Sequence, residues 1–454
     1  MPSNPSQIES YLRPGRRLHL IGIGGVSMRP LGLVLRGMGM EITGSDMSHS
    51  PSVDDLLEKG VPVAIGHRAE NIEGADALIR TAAVHNDNPE IAAARALGVP
   101  IFERAQAWGH IMQSYARAIC VAGTHGKTTT TSMVTHIFME AEQDPTVMIG
   151  GNLPLLGACH RVGGGKTIIM ESCEYCNSFL NFYPTVAVIL NVEADHLDFF
   201  KDLNDIQRSF RTFAQLVPKD GLVISNGDDP NTRDALAGIP TRTFGFSEDC
   251  DVRAVNCSAD WRDFDAMCGG QIYGHFHLNV LGRHNVLNAL AAIAVAWGCG
   301  IAAETAARGL EGFRGAERRM EYKGAFNGAA LYDDYAHHPG ELHALLDALE
   351  TVPHKRILLA FQPHTYSRTY ALFDQFVKEL RRVDVAVLAE IYAAREQNTI
   401  GISSADLSAK VPGSVYCGTL PAVTSWLREN AQAGDLVFTV GAGDIYKAGE
   451  ALLR

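Results

Sequence analysis

Short aliphatic and β-branched runs alternate along the chain with stretches whose apolar positions recur every three or four residues. That alternation predicts parallel sheets covered by helices. Strands are expected at residues 18–22, 118–122, 167–171, 186–190, 330–333, 357–361, 385–389 and 436–440. The longest apolar run, 289–303, falls short of the roughly 18–20 residues a membrane span needs. It closes on Gly298 and Gly300, which predicts a buried helix with a C-cap. Polar and Gly-rich clusters follow the strands directly, at 22–25, 123–128, 171, 193–198, 333–338, 362–368 and 441–444. Open parallel sheets bind ligands beyond the carboxyl ends of their strands, so the pattern places the chemistry on one rim of each sheet.

At 454 residues the chain exceeds one compact domain, and roughly three are expected. A polar connection at 113–117 and a Gly-rich segment at 312–317 suggest boundaries giving 1–114, 115–315 and 316–454. The formal net charge of −12 argues against a nucleic-acid partner, which needs a basic face. It leaves room for small anions, since a few backbone N–H groups and one Lys hold a phosphate. The first seventeen residues contain no apolar signal segment, and the nine cysteines are scattered and odd in number. A reduced, cytoplasmic protein is therefore expected. Cys173 and Cys176 have the spacing of a redox or zinc pair, but no second pair accompanies them, and ordinary packing is the better reading.

The strongest motif is Gly123-Thr124-His125-Gly126-Lys127-Thr128-Thr129 after an apolar strand. Its glycines let backbone N–H groups curl around phosphate oxygens, Lys127 supplies a point charge, and Thr128 reaches Mg²⁺. The full pattern wants a further Gly at 121, where this chain has Val121. Glu171 ends one strand, and Glu193, Asp195, His196 and Asp198 follow another. Beside a phosphate loop such acids read as magnesium ligands, and alone as an acid-rich helix start. His284, Asn285 and Asn288 open an Ala-rich helix on one face, either to meet a nucleotide base or, for Asn285, to cap. Asp333-Asp334-Tyr335 with His337 and His338, and His364 with Arg368, crowd two further strand ends, where buried charge demands partners. Near the N-terminus, Gly22, Gly24 and Gly25 with Asp46 form a near-match to a dinucleotide fingerprint, with Ser27 where its third Gly belongs.

Taken in order, the segments HLIGIGG (19–25), GTHGKTTTT (123–131), NVEADHLD (191–198), GRHNVLNALAA (282–292), DDYAHHP (333–339), FQPHTYSRT (361–369) and GAGDI (441–445) resemble the Mur ligases of peptidoglycan synthesis. The resemblance covers nearly the whole chain. It implies an α/β protein of three domains: an N-terminal Rossmann-like domain for a UDP-sugar, a central P-loop ATPase-type parallel sheet, and a C-terminal Rossmann-like domain for an amino acid. It implies an ATP-dependent ligase, working with Mg²⁺, that joins L-alanine to the lactyl carboxylate of UDP-N-acetylmuramate through an acyl phosphate. Gly22, Gly24, Gly25, Asp46 and His67 would meet the UDP-sugar. Lys127 would lie on the ATP phosphates, Thr128 and Glu171 on magnesium, and His196 on a second metal. His284, Asn285 and Asn288 would face the adenine and Asp334 the ribose, with Tyr335, His337, His364 and Arg368 around the amino acid. Lys127, His196 and Arg368 would carry catalysis. The segment 172–179 departs from the Asp-rich family pattern, Thr365 stands where Arg is frequent, and no Lys lies between Lys201 and Lys219.

Two alternatives use subsets of these residues. A recycling ligase that attaches an intact tripeptide to the same UDP-sugar would share the first two domains, but QPHTYSRT looks like the alanine-adding pattern. A nicotinamide-dependent oxidoreductase would use the first glycine cluster and leave Lys127 unexplained. No membrane partner is expected, and a monomer or weak homodimer is.

Overall fold

The computed structural model describes residues 5–81, 84–197, 199–394 and 396–454. Two compact units emerge. The first comprises 1–192, 207–243 and 294–302, and the second 193–206, 244–293 and 303–454. All eight expected strands form within a residue or so of the expected bounds.

The first unit opens with a five-stranded parallel sheet. Its order is Val63–Ile65, Glu41–Asp46, Arg17–Ile21, Ala77–Arg80, Ile101–Glu103. Strand order reverses between Arg17–Ile21 and Ala77–Arg80, and the glycine turn 22–25 follows the first of these, at the switch point where such sheets bind ligands. A second run of strands has the order Leu222–Asn226, Val186–Ile189, Arg117–Ala122, Thr167–Glu171, Thr146–Leu153, Ala158–Arg161. All neighbours pair in parallel except the last two. Val186–Ile189 is buried along its whole length, as a strand covered on both faces must be. Polar side chains can therefore enter only past its carboxyl end.

The helix Lys127–Glu140 follows the phosphate loop and carries an unusual run of hydroxyls. Thr130, Thr131, Ser132 and Thr135 are all fully buried. Thr131, Ser132 and Thr135 each donate to the carbonyl four residues back, at 2.8, 2.7 and 2.8 Å. Local back-bonding is what lets a Thr-rich segment sit in a core.

The second unit contains a six-stranded sheet in the order Glu321–Phe326, Ala329–Asp334, Leu436–Val440, Ile357–Phe361, Val385–Ala389, Val415–Gly418. Only the first pair is antiparallel. Leu359, Phe361 and Leu388 pack with the helices Pro339–Leu349 and Phe373–Leu380. Their alternates Leu358, Ala360, Val387 and Ala389 pack with Leu420–Asn430 and Tyr446–Glu450. The period of two thus feeds two apolar layers. The apolar run expected as a buried helix forms Arg283–Gly298, with residues 289–296 at 0% exposure. Among the described residues, no helix is long and apolar enough to cross a membrane.

Helix Arg104–Met112 packs its Gly109 against the backbone of 175–181 so closely that a Cβ there would stand 1.9 Å from the Asn181 carbonyl oxygen. Rigid backbone on the far side offers no side-chain escape. Gly109→Ala is expected to cost about 1–3 kcal/mol, read as a lower melting temperature. An unchanged melting curve would show that the two segments move apart freely.

Candidate active site

Each rim is built from residues that the strands deliver and the loops then tie down. In the N-terminal sheet, Gly22 N–H donates to Ser45 O at 2.8 Å and Gly25 N–H to Gly22 O at 3.1 Å, which folds the turn back on the sheet. Asp46 Oδ2 accepts from Gly24 N–H at 2.9 Å, and its Oδ1 from Met47 N–H at 2.8 Å. A Cβ on Gly24 would meet Val53 Cγ2 at 2.8 Å and that same carboxylate at 2.9 Å, so only glycine fits. Ser27, the departure from the fingerprint, is tied by its side chain to Arg104 and by its carbonyl to Trp108 Nε1 at 3.4 Å. His67, two residues past its strand, reaches Ser45 Oγ at 3.2 Å.

The phosphate loop is shaped by Gly123 (φ 146°) and Gly126 (φ 80°), both in the region that favours glycine. Asn191 holds it from the neighbouring strand end. Its Oδ1 accepts from His125 N–H at 2.7 Å, its Nδ2 donates to His125 O at 3.1 Å, and its carbonyl accepts from Thr124 N–H at 3.1 Å. Lys127 Nζ curls back onto the carbonyls of Gly123 and Thr124 and ion-pairs with the buried Glu174 at 3.1 Å. Burial alone would lower the Lys127 ammonium, but Glu174, Cys173 and Glu171 raise it above the ordinary lysine value. Glu171 ends its strand and accepts from Gly150 N–H at 2.6 Å. Thr128 is buried and Thr129 half-buried in the first helical turn. Burial pushes the Cys173 thiol up to about 11, so it is no nucleophile at neutral pH.

In the second unit, Asp195 is the hub. Arg368 Nε and Nη2 both donate to its Oδ1, at 3.0 and 2.8 Å, while Arg368 Nη1 donates to His364 O at 3.3 Å and meets His364 Nδ1 at 3.2 Å. Burial would raise the Asp195 carboxyl, yet Arg368 first, then His196, His337 and His338, hold it well below the usual carboxylate range. His196 stands at φ 53°, its N–H donating to Asp195 Oδ1 at 2.7 Å. Thr365 is a β-branched residue at φ 69°, an outlier of the kind that clusters at functional sites.

The rings assemble around Arg368. Tyr335 and His337 have centroids 5.5 Å apart, His337 and His364 5.7 Å, and His364 and Tyr392 5.7 Å. His337 Nδ1 donates to Tyr335 O at 2.9 Å, and burial lowers its pKa to about 4, which leaves the ring neutral. His338 instead caps the helix Pro339–Leu349, its Nδ1 accepting from Gly340 N–H at 3.2 Å. Asp334 is buried, accepting from Met320 N–H at 2.8 Å and Ala336 N–H at 2.7 Å. Burial outweighs those bonds and raises it to about 6.

The structure thus brings Tyr335, His337, His364 and Arg368 together, and likewise Lys127 and Glu171. Asn288 Nδ2 donates to Asn285 Oδ1 at 3.2 Å, so these two share one face of the helix, and Asn285 Nδ2 is turned back to Leu281 O at 2.7 Å rather than capping. His284 packs beside Gly282 and is lowered to about 4 by burial. Lys127, Thr128 and Glu171 belong to the first unit, and His196 to the second. Asp198 lies outside the described residues. Sequence reasoning left four participants without a role. Glu174 and Asn191 sit inside quoted segments. Tyr392 follows the strand Val385–Ala389 on the same rim as His364. Arg318 pairs with Asp333 at 2.8 Å, donates to Gly443 O at 3.2 Å and to Gly441 O at 2.6 Å, and stacks 4.8 Å over Tyr335. An Arg between Arg314 and Arg319 at the edge of a Gly-rich segment gave no periodic signal.

Three α/β sheets with their polar groups at the strand ends, and a glycine-shaped loop with Lys127 at the head of a buried helix, define an α/β protein of the nucleotide-binding class. Family models match in sequence: "Mur ligase family, catalytic domain" over 17–116, "Mur ligase middle domain" over 121–296, and "Mur ligase, glutamate ligase domain" over 318–443. The chain is 44% identical over 456 residues to the UDP-N-acetylmuramate–L-alanine ligase of Caldanaerobacter subterraneus subsp. tengcongensis, covering 98% of this chain and 99% of that one. It is similar in structure to the UDP-N-acetylmuramate–alanine ligase of Thermotoga maritima (TM-score 0.81, 29% identity, 96% and 98% covered). It is also similar to a murein peptide ligase of Psychrobacter arcticus (TM-score 0.74, 25% identity, 97% and 98% covered). The chain belongs to the Mur ligase family, whose members are ATP-dependent amide-bond ligases, and it has their three-domain α/β fold.

The raised Asp334 makes stability depend on pH. Between about pH 4 and pH 6 the folded protein keeps a proton that the unfolded chain has lost, so stability falls as pH rises through that window. Melting temperatures of the protein and of Asp334→Asn should therefore differ in slope. From about pH 4 to about pH 6 the unmodified protein should lose stability relative to the variant. Parallel curves would show that the Asp334 carboxyl titrates alike in the folded and unfolded chain.

Proposed function

We propose that this protein joins L-alanine to the lactyl carboxylate of UDP-N-acetylmuramate, consuming ATP and releasing ADP and phosphate. A carboxylate is a poor acyl donor, and phosphorylation to an acyl phosphate supplies a leaving group that the amine then displaces. The observation that carries the reading is the half-buried Lys127 ammonium, held at a helix N-terminus by loop carbonyls and Glu174. A cation so placed neutralises charge that develops on a transferring phosphoryl group. Full-length similarity to proteins named for this reaction supports the substrates.

In this reading residues 1–114 take the UDP-sugar through Gly22, Gly24, Gly25, Asp46 and His67. Residues 115–315 take ATP, whose phosphates meet Lys127 and the N–H groups of Gly123, Thr124, His125, Gly126 and Thr129. The adenine meets His284, Asn285 and Asn288, and the ribose Asp334. Residues 316–454 take L-alanine among Tyr335, His337, His364 and Arg368. A hard cation fits the first unit, where Glu171 and Thr128 offer oxygen donors beside the loop. Glu171 and Thr128 would hold Mg²⁺, with His196 for a second ion, and the metal would screen phosphate charge. The protein works in the cytoplasm, as a monomer or weak homodimer, without nucleic acid or membrane.

The tripeptide-adding alternative shares the first two substrates, so the third decides. The oxidoreductase alternative fares worse. It leaves Lys127 and the oxygen donors of Glu171 and Thr128 without a use, and Ser27 stands where its fingerprint needs a third glycine. Phosphate release should require ATP, Mg²⁺, UDP-N-acetylmuramate and L-alanine together. Equal release without the UDP-sugar would leave a simple ATPase, and release with the tripeptide in place of alanine would favour the recycling ligase.

Arg368 carries a narrower expectation. Its Nε and Nη2 are taken by Asp195, so an alanine carboxylate would gain one contact, from Nη1, rather than a bidentate pair. Losing a single charge-assisted contact costs about 1.5 kcal/mol, or roughly tenfold. Arg368→Lys should raise the Michaelis constant for alanine by about that factor and leave those for ATP and UDP-N-acetylmuramate in place. Joint drift of all three constants with a lower melting temperature would mark the pair with Asp195 as purely structural.

A further inference from the structure

Beneath the N-terminal rim lies a buried acid that the reaction described above does not use. Glu90, in the first turn of helix Pro89–Leu97, is 0% exposed. Its Oε2 accepts from Ser45 Oγ at 2.7 Å and lies 3.2 Å from His67 Nδ1 and 3.8 Å from His19 Nε2. Its Oε1 accepts from Asn71 Nδ2, which also donates to Gly66 O at 3.0 Å. Burial alone would raise Glu90, but donors on His19, Asn71 and Ser45 bring it down to about 2, so it stays ionised.

An ionised carboxylate only accepts, so the His67 nitrogen facing it, Nδ1, must bear a proton. In the neutral ring Nε2 is then the bare nitrogen. Among the described residues Nε2 of His67 has no partner. The location is specific. Ser45 accepts from Gly22 N–H through its carbonyl, and the adjoining Asp46 holds Gly24, so the cluster underpins the glycine turn at the sheet's switch point. A buried charge with polar partners is a weak way to add stability, and such clusters are better suited to fixing geometry.

The geometry points to Glu90 as a positioning residue. It locks His67 in the Nδ1–H tautomer and aims Nε2, as an acceptor, at an N–H or O–H donor on the nucleotide half of the UDP-sugar. This rests on the reading that the N-terminal domain takes that substrate. The second nitrogen of a His is commonly set by the bond its first one makes, and here the carboxylate makes that choice.

Nitrogen-15 NMR of the ring, assigned with His67→Gln and recorded on the unliganded full-length protein, reads the tautomer directly. The expected spectrum has Nδ1 protonated and Nε2 bare. Glu90→Gln replaces an acceptor by an amide that can donate, so the ring should turn over to Nε2–H. The Michaelis constant for UDP-N-acetylmuramate should then rise about tenfold, or about 1.4 kcal/mol, with the turnover number and the constants for ATP and L-alanine unchanged. An imidazolium or an Nε2–H ring in the unmodified protein overturns the proposal. So does a Glu90→Gln variant in which all three constants move together. Should that variant not fold, the spectrum of the unmodified protein still decides. Absence of turnover with UDP-N-acetylmuramate would sink the ligase reading instead, and the tautomer would stand or fall on the spectrum alone.

Discussion

A charge buried at a sheet rim must have its partner in place before any substrate arrives. Removing one member of a buried pair costs about 3–5 kcal/mol. The molecule meets this constraint three times. Lys127 leans on Glu174 and on loop carbonyls, Asp195 on Arg368, and Glu90 on Ser45, His67 and Asn71. The sheets impose the constraint themselves. Strands such as Val186–Ile189 and Ile357–Phe361 are buried throughout, so polar chemistry is driven to their carboxyl ends, where half-buried loops must hold it. Asn191 shows the economy of that arrangement: one side chain past one strand fixes both the N–H and the carbonyl of His125 in the next loop.

Binding at such a rim is an exchange of partners rather than the filling of a void. The Lys127 ammonium is already satisfied, so a phosphate gains from it only the difference between its own oxygens and those of Gly123, Thr124 and Glu174. That makes the ammonium a poor source of ground-state affinity. It can still discriminate, because charge that grows during transfer is worth more to it than charge that stays fixed. The neutral His337 and the ionised Asp195 divide labour in a similar way. One offers an uncharged ring beside Arg368, and the other a charge that the local field keeps from taking a proton.

Much of this was legible in the residues. Every expected strand formed, because runs such as 357–361 and 436–440 are apolar or β-branched at each position and bounded by turn signals. The clusters after them were legible because Gly, Asp and His have no other reason to collect at a strand end. What stayed hidden is pairing across long sequence separations. Nothing in FQPHTYSRT says that Arg368 will spend two donors on Asp195, 173 residues away. Nothing in Asp46 says that its carboxylate will also hold the Gly24 and Met47 N–H groups. Glu90 was hidden for a further reason, since an acid in a first helical turn reads as dipole compensation until the fold buries it.

The fate of Arg368 shows how such hidden pairing reshapes a functional argument. An isolated guanidinium invites a bidentate carboxylate. Once Asp195 occupies the Nε–Nη2 edge, the remaining Nη1 edge faces His364, whose ring stacks with Tyr392. Asp195 cannot release the guanidinium by taking up a proton, because Arg368 and three histidines hold its carboxyl far down. A second carboxylate must therefore add to the pair rather than displace it, and two anions on one guanidinium repel. The neutral His337 edge and the Tyr335 ring limit that repulsion by offering the newcomer uncharged polar neighbours. A small amino acid, with its own ammonium close to its carboxylate, brings the counter-charge with it. That favours a compact zwitterion over a larger acid at this rim.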